Sequence, residues 1–160
     1  MSEAAEEQHE TYIYRRVIPN HITGKKSEVS IEAFDLGTAV KGLSVYRADV
    51  SNPRHVLQMT IEDRKHKLAT ATDEQSRVDS EKWLLKNPDV EALVEKGWRV
   101  IKVPVSEVIE MGFGLDVPDS NGHLNILGTP SQFADHKADF IELIKSGKAT
   151  LLSATDCLNG

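Results

Sequence analysis

With 160 residues, 39% hydrophobic and 28% charged, the chain suits one globular domain and is expected to be neither a disordered nor a membrane protein. A net charge of −6 argues against a dedicated nucleic-acid binder. The single cysteine, Cys157, excludes an internal disulfide, and the acidic start Glu3-Ala4-Ala5-Glu6-Glu7 lacks the positive charge of a signal peptide. A cytoplasmic protein is expected, with no membrane partner, since no apolar run approaches the roughly 20 residues that cross a bilayer.

Residues 1–10 hold four acids and no Lys or Arg and read as a disordered tail, leaving 11–160 as the domain. Thr11–Val17 is rich in β-branched and aromatic residues and reads as a strand, stopped by Pro19-Asn20. Gly24-Lys25-Lys26 reads as a turn, and a short element is expected over Val29–Phe34, ending near Gly37. Leu43-Ser44-Val45-Tyr46-Arg47 is a second strand opening after Gly42. Asn52-Pro53 starts a helix whose buried stripe is Val56, Leu57, Thr60 and Ile61. Thr70–Asp79 reads as a loop, with Ser80 capping a short helix through Leu85. Asn87-Pro88 repeats the start signal before Val90, Leu93 and Val94, and Gly97 supplies the stop.

Trp98–Val105 reads as a strand with two partly buried faces, and Ser106 as the start of a short helix ending at Gly112. After a turn-rich stretch, His123–Leu127 alternates as a strand with Leu124 and Ile126 on one side. Thr129-Pro130-Ser131-Gln132 has the form of a capping box and opens a helix with Phe133, Phe140, Ile141 and Ile144 buried. Lys148–Ala154 closes the chain as an edge strand. Helices and short strands interleave irregularly, which predicts an α+β fold, one domain, with a mixed or antiparallel sheet and packed helices.

Tyr14-Arg15-Arg16-Val17, Pro19, Phe34 and Leu43–Arg47, followed by Gly97-Trp98, Val103, Val105, Gly112 and His123-Leu124-Asn125-Ile126, form a recurrent pattern. It resembles a loose group of small uncharacterised bacterial proteins. The resemblance covers most of residues 12–128 and implies a bacterial or phage origin and a common scaffold. It implies no activity.

Charge is unevenly spread: residues 11–67 carry ten Lys/Arg against six acids, residues 68–160 nine against fifteen. Either folding mixes these charges or the first segment builds a positive patch for an anionic ligand or acidic partner. The six histidines show no H-x-x-x-H spacing, so no metal site is expected, and no cofactor motif is present.

Two candidate constellations remain. His21-Ile22-Thr23 and His123-Leu124-Asn125 resemble the paired H-x-T/S motifs of 2H phosphoesterases, in which two imidazoles act as acid and base, with Asn departing from that pattern. A surface histidine and a structural one is the simpler reading. Tyr14, Arg16, Ser44, Tyr46, Arg47 and His123 could line one cleft for an anion if their strands are neighbours, the plainer alternative being a solvated sheet face. The expectation is a non-enzymatic bacterial or phage accessory protein (inhibitor, immunity or regulatory type) with a protein partner. The alternative is a small enzyme or sensor acting on a nucleotide or RNA phosphate through His123 and nearby arginines.

Overall fold

Along the first strand, Ile13 and Val17 enter one apolar cluster while Tyr14, between them in register, packs against another. That two-sidedness organises the molecule. The computed structural model describes residues 11–23, 28–29 and 42–159. The acidic tail over 1–10, the Gly24-Lys25-Lys26 turn and the expected 29–34 element beyond Val29 lie outside them.

Strands β1 (Tyr12–Val17), β4 (Leu43–Arg47), β5 (Arg99–Pro104), β6 (Gly114–Leu115), β7 (His123–Leu127) and β8 (Thr150–Leu151) form one sheet in the order β6-β7-β4-β1-β5-β8. Every neighbouring pair is antiparallel. Strands β2 (Ile22–Thr23) and β3 (Glu28–Val29) make a separate two-residue ladder. Six helices complete the described chain: α1 (Pro53–Ala69), α2 (Glu74–Lys86), α3 (Val90–Glu95), α4 (Val105–Glu110), α5 (Pro130–Lys145) and α6 (Ala154–Asn159).

The fold is α+β, one domain, with the sheet buried between two layers. On one face Ile13, Val17, Val45, Ile101, Val103, Leu124 and Ile126 meet Val108 of α4 and Phe133 and Phe140 of α5. On the other, Tyr46 and Val100 meet Val56, Leu57 and Ile61 of α1, Leu93 of α3 and Cys157 of α6. Val100 and Ile101 serve opposite cores, which is why β5 shows no clean polar alternation.

Local signals explain the helix starts. Asn52 accepts the His55 backbone N–H at 2.8 Å ahead of Pro53. Thr129 and Gln132 make both bonds of the capping box, Gln132 N–H to Thr129 Oγ1 at 3.1 Å and Thr129 N–H to Gln132 Oε1 at 2.8 Å.

Four expectations are corrected. Residues 74–79 are helical, not a loop: Asp73 caps α2 by accepting the Ser76 N–H at 2.7 Å. This helix packs chiefly on α1 and has one fully buried residue, Ser80, so no apolar stripe marks it. Arg77 pairs with Glu74 and Glu81 along it, support that depends on side-chain charge and not on burial. Asn87 ends α2 instead of starting α3, its side-chain N–H donating to the Trp83 carbonyl at 2.9 Å, while Asp89 caps α3. Helix α4 begins at Val105, one residue ahead of Ser106. The closing strand is Thr150–Leu151 only, and Ala154 already belongs to α6.

Candidate functional site

Antiparallel register brings most of the candidate side chains onto one face of the sheet. Tyr14 lies opposite Tyr46, Tyr46 opposite His123, and Ser44 opposite Asn125. Strand alternation puts Arg16 on that face with Tyr14. Ser44 and His123 are thus diagonal cross-strand neighbours, and Ser44 Oγ lies 2.7 Å from His123 Nε2. Behind Ser44, Arg15 Nη1 donates to its carbonyl oxygen at 2.8 Å. Burial, with a smaller contribution from the neighbouring Arg16 charge, lowers the Arg15 guanidinium to about 10.

The His123 ring is held from several sides. Its own N–H donates to Asp119 Oδ1 at 3.0 Å, and Asp119 Oδ2 stands 3.9 Å from Nδ1. The carboxylate favours the proton on Nδ1, which leaves Nε2 as the acceptor for the Ser44 hydroxyl. Tyr46 packs its ring against His123 at 5.3 Å and against His55 at 6.3 Å, both edge-on. Burial is the main cause that raises the Tyr46 phenol above its ordinary range.

Two candidates fall elsewhere. Arg47 lies opposite Ile13, on the α5 side of the sheet, and is bound to Asp49 through Nε at 3.0 Å and Nη2 at 2.7 Å. His21 belongs to a 3-10 turn, Pro19–His21, beyond the end of β1, whereas His123 lies two strands away at the level of Tyr14. The two H-x-T-like motifs are therefore not on adjacent strands. Their spacing was local, and only the sheet order could join or separate them.

Arg16 reaches away from this polar row to α1, donating to Thr60 Oγ1 at 3.0 Å and facing Asp63 at 3.4 Å. There it joins a groove lined by residues of α1 and α2. Arg16, Thr60, Asp63, Trp83 and Trp98 line a recess of about 150 Å³, which Arg64 and Lys67 share with a second recess of about 380 Å³. The two indoles meet edge-on at 6.5 Å, and the Arg64 guanidinium lies 4.8 Å above the Trp83 ring. Thr70, Thr72, Ser76 and Asp79 line the larger recess. Arg64 and Lys67 carry no ion pair among the described residues. The signal lay in their i, i+3 spacing on α1, which puts them on one helix edge while Lys65 and His66 face solvent.

The basic excess of residues 11–67 is partly consumed within that segment, since Arg16 pairs with Asp63 and Arg47 with Asp49. Arg54 pairs with Glu91 from the acidic half. No group of three or more His, Cys, Asp or Glu side chains that could hold a metal forms among the described residues. None of the described helices is long and apolar enough to cross a membrane. No family model, no curated protein and no solved structure matches the chain.

Proposed function

We propose that this chain is a small-ligand binding protein whose α1–α2 groove takes an anionic, ring-bearing molecule of the nucleotide class. One observation carries the reading: both tryptophans of the chain line the same groove as three cations, Arg16, Arg64 and Lys67. A flat ring suits the indole end, where stacking contributes about 1–3 kcal/mol. A phosphate suits the junction of the two recesses, where Arg64 and Lys67 stand beside the Thr72 hydroxyl, those of Thr70 and Ser76 already donating to the His66 carbonyl and to Asp73. Asp63 and Asp79 oppose a highly charged ligand. Arg16 offsets the first, and Gln75 donates to the second at 2.8 Å. In this groove the reading replaces the protein partner expected from the sequence by a small anion. His123 does not line the groove, so no catalytic step is assigned to it there.

Because both tryptophans line the groove, intrinsic fluorescence reports occupancy directly. Titration with nucleoside mono-, di- and triphosphates is expected to quench it saturably. Lys67→Ala and Arg64→Ala should each weaken binding about tenfold, corresponding to about 1.4 kcal/mol. The loss for Lys67→Ala should shrink at high salt. Unchanged fluorescence and melting temperature up to millimolar nucleotide would sink the reading.

A further inference from the structure

The polar row at the β4–β7 end of the sheet is separate from the groove and stands on its own observations. Ser44 Oγ is 2.7 Å from His123 Nε2, and the Asp119 carboxylate faces the other ring nitrogen. A hydroxyl, a base and an acid that sets the tautomer are the three groups a nucleophilic serine requires. The fourth requirement is a donor for the oxyanion. Asn125 lies directly across the ladder from Ser44, where opposite Cβ atoms stand about 4.5–5.5 Å apart. Its carboxamide makes no hydrogen bond among the described residues. The His123 side chain is 34% exposed, so part of the ring is open to solvent. Asp119 Oδ1 is occupied by the N–H groups of Asn121 and His123, at 2.8 and 3.0 Å. Its Oδ2 therefore acts on the ring by charge, from 3.9 Å.

We propose that Ser44 is an activated nucleophile toward small carboxylic esters, with His123 as its base, Asp119 as the orienting group and Asn125 as the oxyanion donor. In acylation the Ser44 Oγ–C bond forms and the Oγ proton passes to His123 Nε2. The carbon–oxygen bond to the leaving alcohol then breaks, and the alcohol takes that proton. Water attacks the acyl-serine by the same route, releasing the acid and restoring the hydroxyl. A purely structural serine–histidine pair would have the same distance in the ground state but would not react.

The test uses the full chain and an alkyl fluorophosphonate. Ser44 Oγ forms a bond to phosphorus, fluoride leaves, and His123 receives the proton. Peptide mass spectrometry is expected to find the adduct on Ser44. His123→Gln keeps a hydrogen-bonding group but no base, and should slow labelling about 100-fold. Asn125→Ala should slow it with the fold intact, which keeps the test decisive if His123→Gln fails to fold. No adduct on Ser44 overturns the proposal, as does an adduct whose rate neither variant lowers.

Discussion

Gly42 offers the most direct test of how the chain holds its polar row together. It opens β4 with a φ of +131°, outside the left-handed well that other residues tolerate. A Cβ there would overlap the Ile126 carbonyl oxygen and lie 3.3 Å from Asn125 Cβ, both on β7. Gly42→Ala thus adds backbone strain of about 1–3 kcal/mol to displacement of a packed strand, about 1–3 kcal/mol more. The total is about 2–6 kcal/mol. Gly147 is the internal control, with φ +85° and nothing within 4 Å of its added Cβ. Gly147→Ala carries strain alone, about 1–2 kcal/mol. With a urea slope of about 2 kcal/mol per molar, the midpoint should fall by about 1–3 M for Gly42→Ala and by about 0.5–1 M for Gly147→Ala. Moving β7 from β4 should also lengthen the Ser44–His123 contact and slow fluorophosphonate labelling. If Gly42→Ala costs no more than Gly147→Ala, the two strands do not approach as described and the argument fails.

Phe140, 1% exposed in the α5 core, should cost about 3–5 kcal/mol as Phe140→Ala, against about 0.5–2 kcal/mol for the cap variant Thr129→Ala, both read by urea denaturation. Cys157 is fully buried, and that burial is the main cause that raises its thiol above the ordinary range. Alkylation at pH 8 should therefore proceed only as fast as the chain unfolds, and rapid native-state modification would contradict the packing of α6. The folded chain keeps this proton where the unfolded chain releases it. Its contribution to stability is thus complete below the ordinary thiol range and is lost as pH rises through it, measurable as a falling urea midpoint.

Much of the fold was legible because its signals are local. Asn52-Pro53 and Thr129-Pro130-Ser131-Gln132 specify helix starts through bonds made within four residues. The β4 and β7 strands show in their own alternation, with Leu43 and Val45, then Leu124 and Ile126, on the core side. The first turns of helix α2, residues 74–79, escaped because charge pairs and a short strip against α1 support them, so only the stretch from Ser80 to Leu85 read as helix. Asn87 misled because Asn-Pro suits a helix start and Asn also ends a helix; the contact with the Trp83 carbonyl decides between them.

The sequence by itself determined most of the element types, the two apolar faces of β5 and the polar residues available to a site. Only the tertiary structure decided which of them meet. Arg16 and Arg47 look alike in the chain, yet opposite strand parity sends one to the groove under α1 and the other to the opposite face, where it pairs with Asp49 two residues on. Ser44 and His123 are 79 residues apart and touch because β7 pairs with β4 in one register, which a slip of one residue would undo. Arg64 and Trp83 belong to different helices and meet only when α2 folds back on α1. Caps and alternation are short-range and act before the chain collapses. Register and helix docking depend on which distant apolar faces can be buried together, and no local stretch of residues carries that information.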